Sequence, residues 1–209
     1  MLFPVSPPAL VRQFYRHFTW KMEGAEKIIY LTFDDGPVPV YTEFVLDALD
    51  EHQAKATFFC IGKNVEAHPD IYQRILRSGH SIGNHTWQHL NGWMHSTHAY
   101  TEDVRKAEEL IPSGLFRPPY GRIRMEQARE IMQKHKIIMW DVLSYDFHPK
   151  VSPERCYKNV AEHSRPGSIV VFHDSEKAFR NVEKVLPKYL KFLNDEGYKF
   201  AALQMTDDR

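Results

Sequence analysis

Two groupings in this sequence have the residue types and spacing for chemistry that single side chains do not perform. Thr32 to Pro37 reads TFDDGP and sets Asp34 beside Asp35. Two carboxylates held that close resist ionising together unless a cation compensates. A plain turn of Asp and Gly would account for the same residues. Asn84 to His89 reads NHTWQH and sets His85 and His89 four residues apart. On one helical turn that spacing puts both imidazoles on one face, within reach of a single ion. A metalloprotease of the H-E-x-x-H type needs Glu after the first histidine; Thr86 stands there, which removes that chemistry. His95 and His98 form a rival pair, but their polar surroundings read as solvated surface.

Three further stretches carry polar groups at defined positions. Phe116 to Gly121 reads FRPPYG, where two prolines stiffen the backbone and fix the directions of Arg117 and Tyr120. Trp140 to Phe147 reads WDVLSYDF and ends on Asp146 and Phe147. Val170 to Asp174 reads VVFHD, with His173 directly beyond an apolar run. Each has a purely structural explanation when taken alone. Together they supply what a single acid–base site with a bound ion requires.

Positioning them needs a scaffold, and the apolar patterning describes one. Runs at Ile28–Phe33, Ala56–Ile61, His80–Gly83, Leu115–Phe116, Lys136–Trp140, Ser168–Phe172 and Tyr198–Leu203 read as strands. Helical patterns alternate with them at Tyr41–His52, Asp70–Ser78 (closed by Gly79), Thr97–Leu110, Met125–His135, Pro153–Ser164 and Ala178–Asn194. Ser6-Pro7-Pro8 suits the start of a short helix running to about Phe18. About seven βα units with short connections imply a parallel sheet, either a closed barrel or open and doubly wound. In both, ligands bind at the carboxyl ends of the strands, where every grouping above falls.

The bulk figures narrow the partners. The 209 residues suit one domain, with 43% apolar and 26% charged residues. Lys plus Arg equals Asp plus Glu, 27 each, so net charge draws the chain neither to nucleic acid nor to acidic lipid. Cys60 and Cys156 match no zinc-finger or redox spacing and read as reduced, buried thiols. The first residues lack the apolar core of a signal peptide, and no run has the ~20 apolar residues of a membrane span, so a cytoplasmic location is expected.

TFDDG, HTWQH, RPPYG, the Asp146-Phe147 pair and VFH, in this order, resemble the five motifs of the polysaccharide deacetylases, carbohydrate esterase family four. The likeness runs from residue 27 to 203. It implies an α/β fold, a distorted (β/α) barrel of about seven parallel strands. The catalytic domain would span 27–209, behind a short helical extension at 1–26. It also implies removal of N-acetyl groups from the amino sugars of a glycan or glycoconjugate. By that resemblance Asp35, His85 and His89 hold one divalent ion, zinc first, with cobalt or nickel as alternatives. Asp34 is the base, held by Arg117, and His173 the acid, oriented by Asp146. The backbone N–H of Tyr120 stabilises the oxyanion. Tyr120, Phe147, Val171 and Trp87 would contact the carbohydrate. The family usually has Leu where Val171 stands and Trp where Phe147 stands, so the sugar groove is expected to differ. A hydrolase of formyl sugars or of a cyclic ureide, and an inactive sugar-binding module, are the rival readings.

Overall fold

Residues along β1 (Ile28–Asp34) alternate in character, and this sets the two faces of the sheet. Ile29, Leu31 and Phe33 are fully buried on one face. They join the main core with Leu46 and Leu49 of α2 (Tyr41–Glu51) and Leu186 and Leu190 of α8 (Glu176–Asp195). Tyr30, Thr32 and Asp34 alternate onto the other face. Below them Phe59, Leu115, Ile138, Ile169 and Leu203 form a separate buried cluster, against which Tyr30 packs.

The computed structural model describes residues 4–24 and 26–205. The outer ends of the extension and of the main segment, at 1–3 and 206–209, lie outside the described residues. The elements run α1 (Ala9–Phe14), β1, α2, β2 (Ala56–Cys60), α3 (Gly62–Ala67), α4 (Pro69–Arg77), β3 (Ser81–Asn84), α5 (Thr97–Glu108), β4 (Leu115–Phe116), α6 (Met125–Ile131), β5 (Lys136–Ile137), β6 (Val142–Leu143), α7 (Pro153–His163), β7 (Ile169–His173), α8 and β8 (Lys199–Phe200). Seven strands lie in the order β5-β4-β3-β2-β1-β7-β6, every pair parallel, and curl into a half-barrel. β8 pairs with the first two residues of β1. This is the distorted (β/α) barrel implied by the motifs.

The seam between β5 and β6 is covered by the N-terminal segment. Thr19 N donates to Ile137 O (2.9 Å), Met139 N to Thr19 O (2.7 Å), and Met22 N to Gly167 O (2.9 Å). Leu143 N, on the free edge of β6, donates to Val5 O at 2.9 Å. These bonds satisfy edge groups that an open sheet would leave unpaired.

Several boundaries differ from the sequence expectation. The first helix ends at Phe14 rather than Phe18, and Ser6 makes no capping bond. No residue of α1 is buried, so no packing extends it, while Phe18 and Trp20 turn into a core cluster. The last strand is only Lys199–Phe200, because Leu203 turns into the barrel and donates its N–H to Thr57 Oγ1. α3 and β6 were not anticipated; six and two residues are too few for periodicity to register. Gly79 does close α4, with φ +73°. Both cysteines are free and buried. Among the described residues no helix is long and apolar enough to cross a membrane.

Candidate metal and catalytic site

Strand register brings the five sequence groupings level. Asp34, last in β1, pairs with His173 of β7 and with Phe59 of β2. Asn84, last in β3, pairs with Cys60 and with Phe116. The residues at and just beyond these positions therefore leave the sheet together at its carboxyl edge.

Asp35, His85 and His89 converge there, each offering one donor atom, all within 4.8 Å of one another. Asp35 Oδ1 lies 3.1 Å from His89 Nε2 and 3.8 Å from His85 Nε2. The two histidines do not meet on a helical turn, as their spacing suggested. The segment is a loop in which Thr86 (φ 66°) and His89 (φ 59°) are left-handed. Such residues cost ~1–3 kcal/mol each and persist only where neighbours over-determine them. Here Asn84 Oδ1 accepts from Thr86 N (2.8 Å) and Thr86 Oγ1 from Leu90 N (3.1 Å). Asp103 of α5 accepts from the backbone of Trp87 (2.7 Å) and Gln88 (3.0 Å).

Asp35 is likewise left-handed, at φ 85°. Its carbonyl accepts from Asn64 Nδ2 (2.8 Å), and the next amide, Gly36 N, donates to Asp174 Oδ1 (3.0 Å). A Cβ on Gly36 would lie 1.9 Å from Asp174 Oδ2, so only glycine fits. Burial, with the nearby charge of Asp35, pushes the Asp174 carboxyl up to about 8. Asp174 thus supports the loop that carries Asp35.

The donor set fits a divalent ion of the zinc type. His85 Nδ1 is 2.7 Å from Arg117 O, so its N–H points there and Nε2 keeps a free lone pair. Burial lowers the His85 pKa to about 4, against the pull of Asp34 and Asp35, which keeps the ring neutral as a ligand must be. Burial opposes the Asp35 charge. The hydrogen bond with His89 and the charges of His173 and Lys177 outweigh it and hold the carboxyl well below its usual range. Lys177 Nζ lies 2.7 Å from Asp35 Oδ2, the oxygen turned away from the histidines. Nothing in the sequence singled out Lys177; its place four residues after His173, in the first turn of α8, is the signal that could have.

Asp34 is held by a separate network. Arg117 is wholly buried, at 0% exposure. Its Nη1 donates to Asp34 Oδ1 and Thr32 Oγ1 (both 2.7 Å), Nε to Ile138 O (3.1 Å) and Nη2 to Met139 O (2.8 Å). The guanidinium stacks over Phe59, 4.1 Å from the ring centre. A buried ion pair of this kind is retained only where the remaining donors are satisfied. The barrel interior supplies those acceptors.

His173 and Asp146 form the third group. Asp146 Oδ1 lies 2.8 Å from His173 Nδ1, and Oδ2 accepts from His173 N at 2.7 Å. Burial lowers the His173 pKa, but the charge and hydrogen bond of Asp146, then the charges of Asp35 and Asp34, raise it to about 9. Asn181 of α8 donates to Asp146 O (2.7 Å) and fixes that turn.

These groups line a cleft of about 170 Å³ with Pro118, Tyr120, Gly121, Trp140, Leu143, Phe147, Val171 and Lys177. Tyr120 (φ 59°) covers His89, with ring centres 4.6 Å apart. Phe147 serves two surroundings. It packs on the main core, and it meets His173 edge-on at 4.8 Å. Trp140 and Leu143 enter the lining without having been singled out. Trp87 does not reach the cleft, contrary to its assignment as a sugar contact. It is 8% exposed and belongs to the core, with Lys106 Nζ 3.9 Å from its ring centre. The left-handed Thr86 turns it inward, over Gly62, where a Cβ would clash with the indole at 2.5 Å. Among the described residues no other group of three or more His, Cys, Asp or Glu has metal-ligand geometry, and His98 is exposed.

Comparison with known proteins agrees with this geometry. Residues 21–140 match the family model described as polysaccharide deacetylase. A peptidoglycan-N-acetylglucosamine deacetylase of Bacillus cereus is 34% identical over 196 residues, covering 90% of this chain and 91% of that protein. The solved Bc1960 peptidoglycan N-acetylglucosamine deacetylase, in complex with 4-naphthalen-1-yl-N-oxidanyl-benzamide, superposes with a TM-score of 0.86. It is 31% identical, and the match covers 94% of this chain and 95% of that one. A mutant of BA3943, a CE4 family pseudoenzyme, gives a TM-score of 0.78 at 25% identity, over 88% of this chain and 68% of that one. Motif order, barrel and sequence likeness converge, and the chain belongs to the polysaccharide deacetylase family.

Proposed function

We propose that the protein hydrolyses N-acetyl groups from amino sugars of a glycan, with one divalent cation held by Asp35, His85 and His89. Zinc suits one carboxylate and two imidazoles best; cobalt or nickel would fit the same donors. The observation that carries the reading is that the three-donor cluster shares a small cleft with two separately supported proton-transfer groups, Asp34 and His173. The similar proteins named as peptidoglycan-N-acetylglucosamine deacetylases support N-acetylglucosamine in a wall-type glycan as the substrate class.

Held by Asp35, His85 and His89, a divalent cation would supply Lewis acidity for the acetyl carbonyl and for the attacking water near neutral pH. Asp34, fixed by Arg117, takes the proton of the attacking water. The backbone N–H of Tyr120 donates to the developing oxyanion. His173 is charged near pH 7 and donates from Nε2 to the leaving amine, because Nδ1 is committed to Asp146. Val171 and Leu143 give the acetyl methyl an apolar seat, and Phe147 and Tyr120 wall the sugar.

An inactive binding module is the second reading, since one structural neighbour is a pseudoenzyme. The complete set of donors and proton carriers argues against it. The test is acetate release from N-acetylglucosamine oligomers and peptidoglycan, with and without a chelator, alongside formyl analogues. Chelator-sensitive acetate release is expected. Asp34→Asn should keep its metal and lose ~10²–10⁴ in kcat. Activity indifferent to metal, or an Asp34→Asn enzyme of normal rate, would overturn the mechanism.

A further inference from the structure

Helix α5 grips the histidine segment at two points. Val104 O accepts from Asn84 Nδ2 (3.0 Å), which fixes the residue before His85. One position earlier on the same helix, Asp103 Oδ2 accepts from Trp87 N (2.7 Å) and Gln88 N (3.0 Å), the two residues before His89. Asp103 Oδ1 accepts from Gln88 Nε2 at 3.3 Å. Asp103 is only 7% exposed and lies on the buried side of α5 with Tyr100, Val104 and Ala107.

A carboxylate buried among such side chains costs free energy unless bonds to it recover the loss. All of these bonds go to one loop, the one that presents His85 and His89. The two histidines depend on that loop unequally. His85 is anchored through its own ring, by Nδ1 to Arg117 O (2.7 Å). The ring of His89 touches those of His85 and Tyr120, and among the described residues its polar contact is with Asp35, at 3.1 Å. That contact cannot also aim His89 once both side chains serve an ion. The backbone at Trp87 and Gln88 is left to do so, directly ahead of the left-handed His89.

We infer that Asp103 is a positioning residue for the metal site, setting cation affinity by holding the backbone that aims His89. The inference rests on Asp35, His85 and His89 as the donors, and adds a residue that touches neither the ion nor the substrate. Asp103 acts by geometry and not by charge. Its Oδ2 alone serves both backbone amides, so an asparagine carbonyl oxygen can take that place. The Gln88 side chain can then turn its amide to accept from the new NH2 group.

The test titrates zinc into the metal-free full chain by calorimetry. Asp103→Asn keeps the shape and loses the charge, whereas Asp103→Glu keeps the charge and displaces it by one methylene. Asp103→Asn should bind zinc within about 3-fold of wild type, while Asp103→Glu and Asp103→Ala should weaken binding ~10–100-fold, the usual effect of losing a partner behind a ligand. Hydrogen exchange at the Trp87 and Gln88 amides should quicken in Asp103→Glu and Asp103→Ala but not in Asp103→Asn. A lowered Tm in Asp103→Ala with unchanged zinc affinity would make the role structural only and overturn the inference. The reverse order, with Asp103→Glu near wild type and Asp103→Asn weakened, would also overturn it, since the carboxylate would then act by charge. Should Asp103→Ala fail to fold, the order of Asp103→Asn and Asp103→Glu decides alone. His89→Ala separates the two levels. Unchanged zinc binding in that variant overturns the donor set itself. Binding abolished there but unchanged in every Asp103 variant overturns the positioning role alone.

Discussion

Asp146→Asn isolates what the carboxylate does for His173. Burial alone would push the His173 pKa below its ordinary 6.5, and Asp146 is the largest influence that instead raises it to about 9. The side chain is only 12% exposed, so solvent screens this pairing little. The interval from 6.5 to about 9 corresponds to ~3 kcal/mol, the net of Asp146, Asp35 and Asp34 acting against burial. Because the folded pKa is raised, this stability is fully present below 6.5 and is lost as pH rises through about 9. With Asn in place, His173 returns to ordinary values or lower. Its charged fraction near pH ~7.5 then falls from ~97% to ~10% or less. The rate should drop at least ~tenfold from the missing proton, and by up to ~10²–10⁴ once ring orientation is also lost. The assay is the pH profile of kcat/KM for both proteins at equal metal content, with Tm followed from acid to alkaline pH. A bound cation shifts both profiles toward acid, so the displacement between them is the quantity to read. The alkaline limb should move acidward by about 2.5 pH units or more. In wild type Tm should decline across pH ~7–10 more steeply than in the variant. Superimposable limbs would refute the assignment of His173 as acid and Asp146 as its support.

Two further outcomes follow from the same geometry. Arg117→Lys keeps a charge but cannot serve Asp34, Thr32, Ile138 and Met139 together, so it should cost ~2–4 kcal/mol, or ~4–16 °C in Tm, and lower kcat. A Tm within ~1 °C of wild type would mean the fork is dispensable. Lys177→Met removes an ammonium 2.7 Å from Asp35, the carboxylate proposed to hold the metal, so calorimetry should show a divalent ion binding a few-fold more tightly, whereas His89→Ala should abolish stoichiometric binding. Weaker binding in Lys177→Met would instead show that Lys177 positions Asp35.

Much of the barrel was legible because its strands are buried on both faces and its helices are amphipathic over several turns. Those periods survive in sequence at β1, β2, β7, α2 and α8. The place of the candidate site was legible for a related reason. Parallel strands deliver their carboxyl ends to one edge, so groupings after separate strands must meet whatever else the chain does. Short elements lacked this redundancy. β6 and α3 exist because their neighbours pair with and pack on them, and two or six residues show no period of their own.

Tertiary structure alone decided how the two histidines meet. Their spacing fits a helix, but Asn84, Thr86 and Asp103 bend the chain through two left-handed residues. That bend brings His89 back to Asp35 and turns Trp87 into the core. The same holds for the closing of the barrel seam by Thr19 and Met22, for Asp174 beneath Gly36, and for Lys177 against Asp35. Each depends on contacts between residues far apart in the chain, whose energies no local pattern records. Residue types and their spacing determined which side chains could act and which edge would carry them. Long-range hydrogen bonds and packing fixed where each one points.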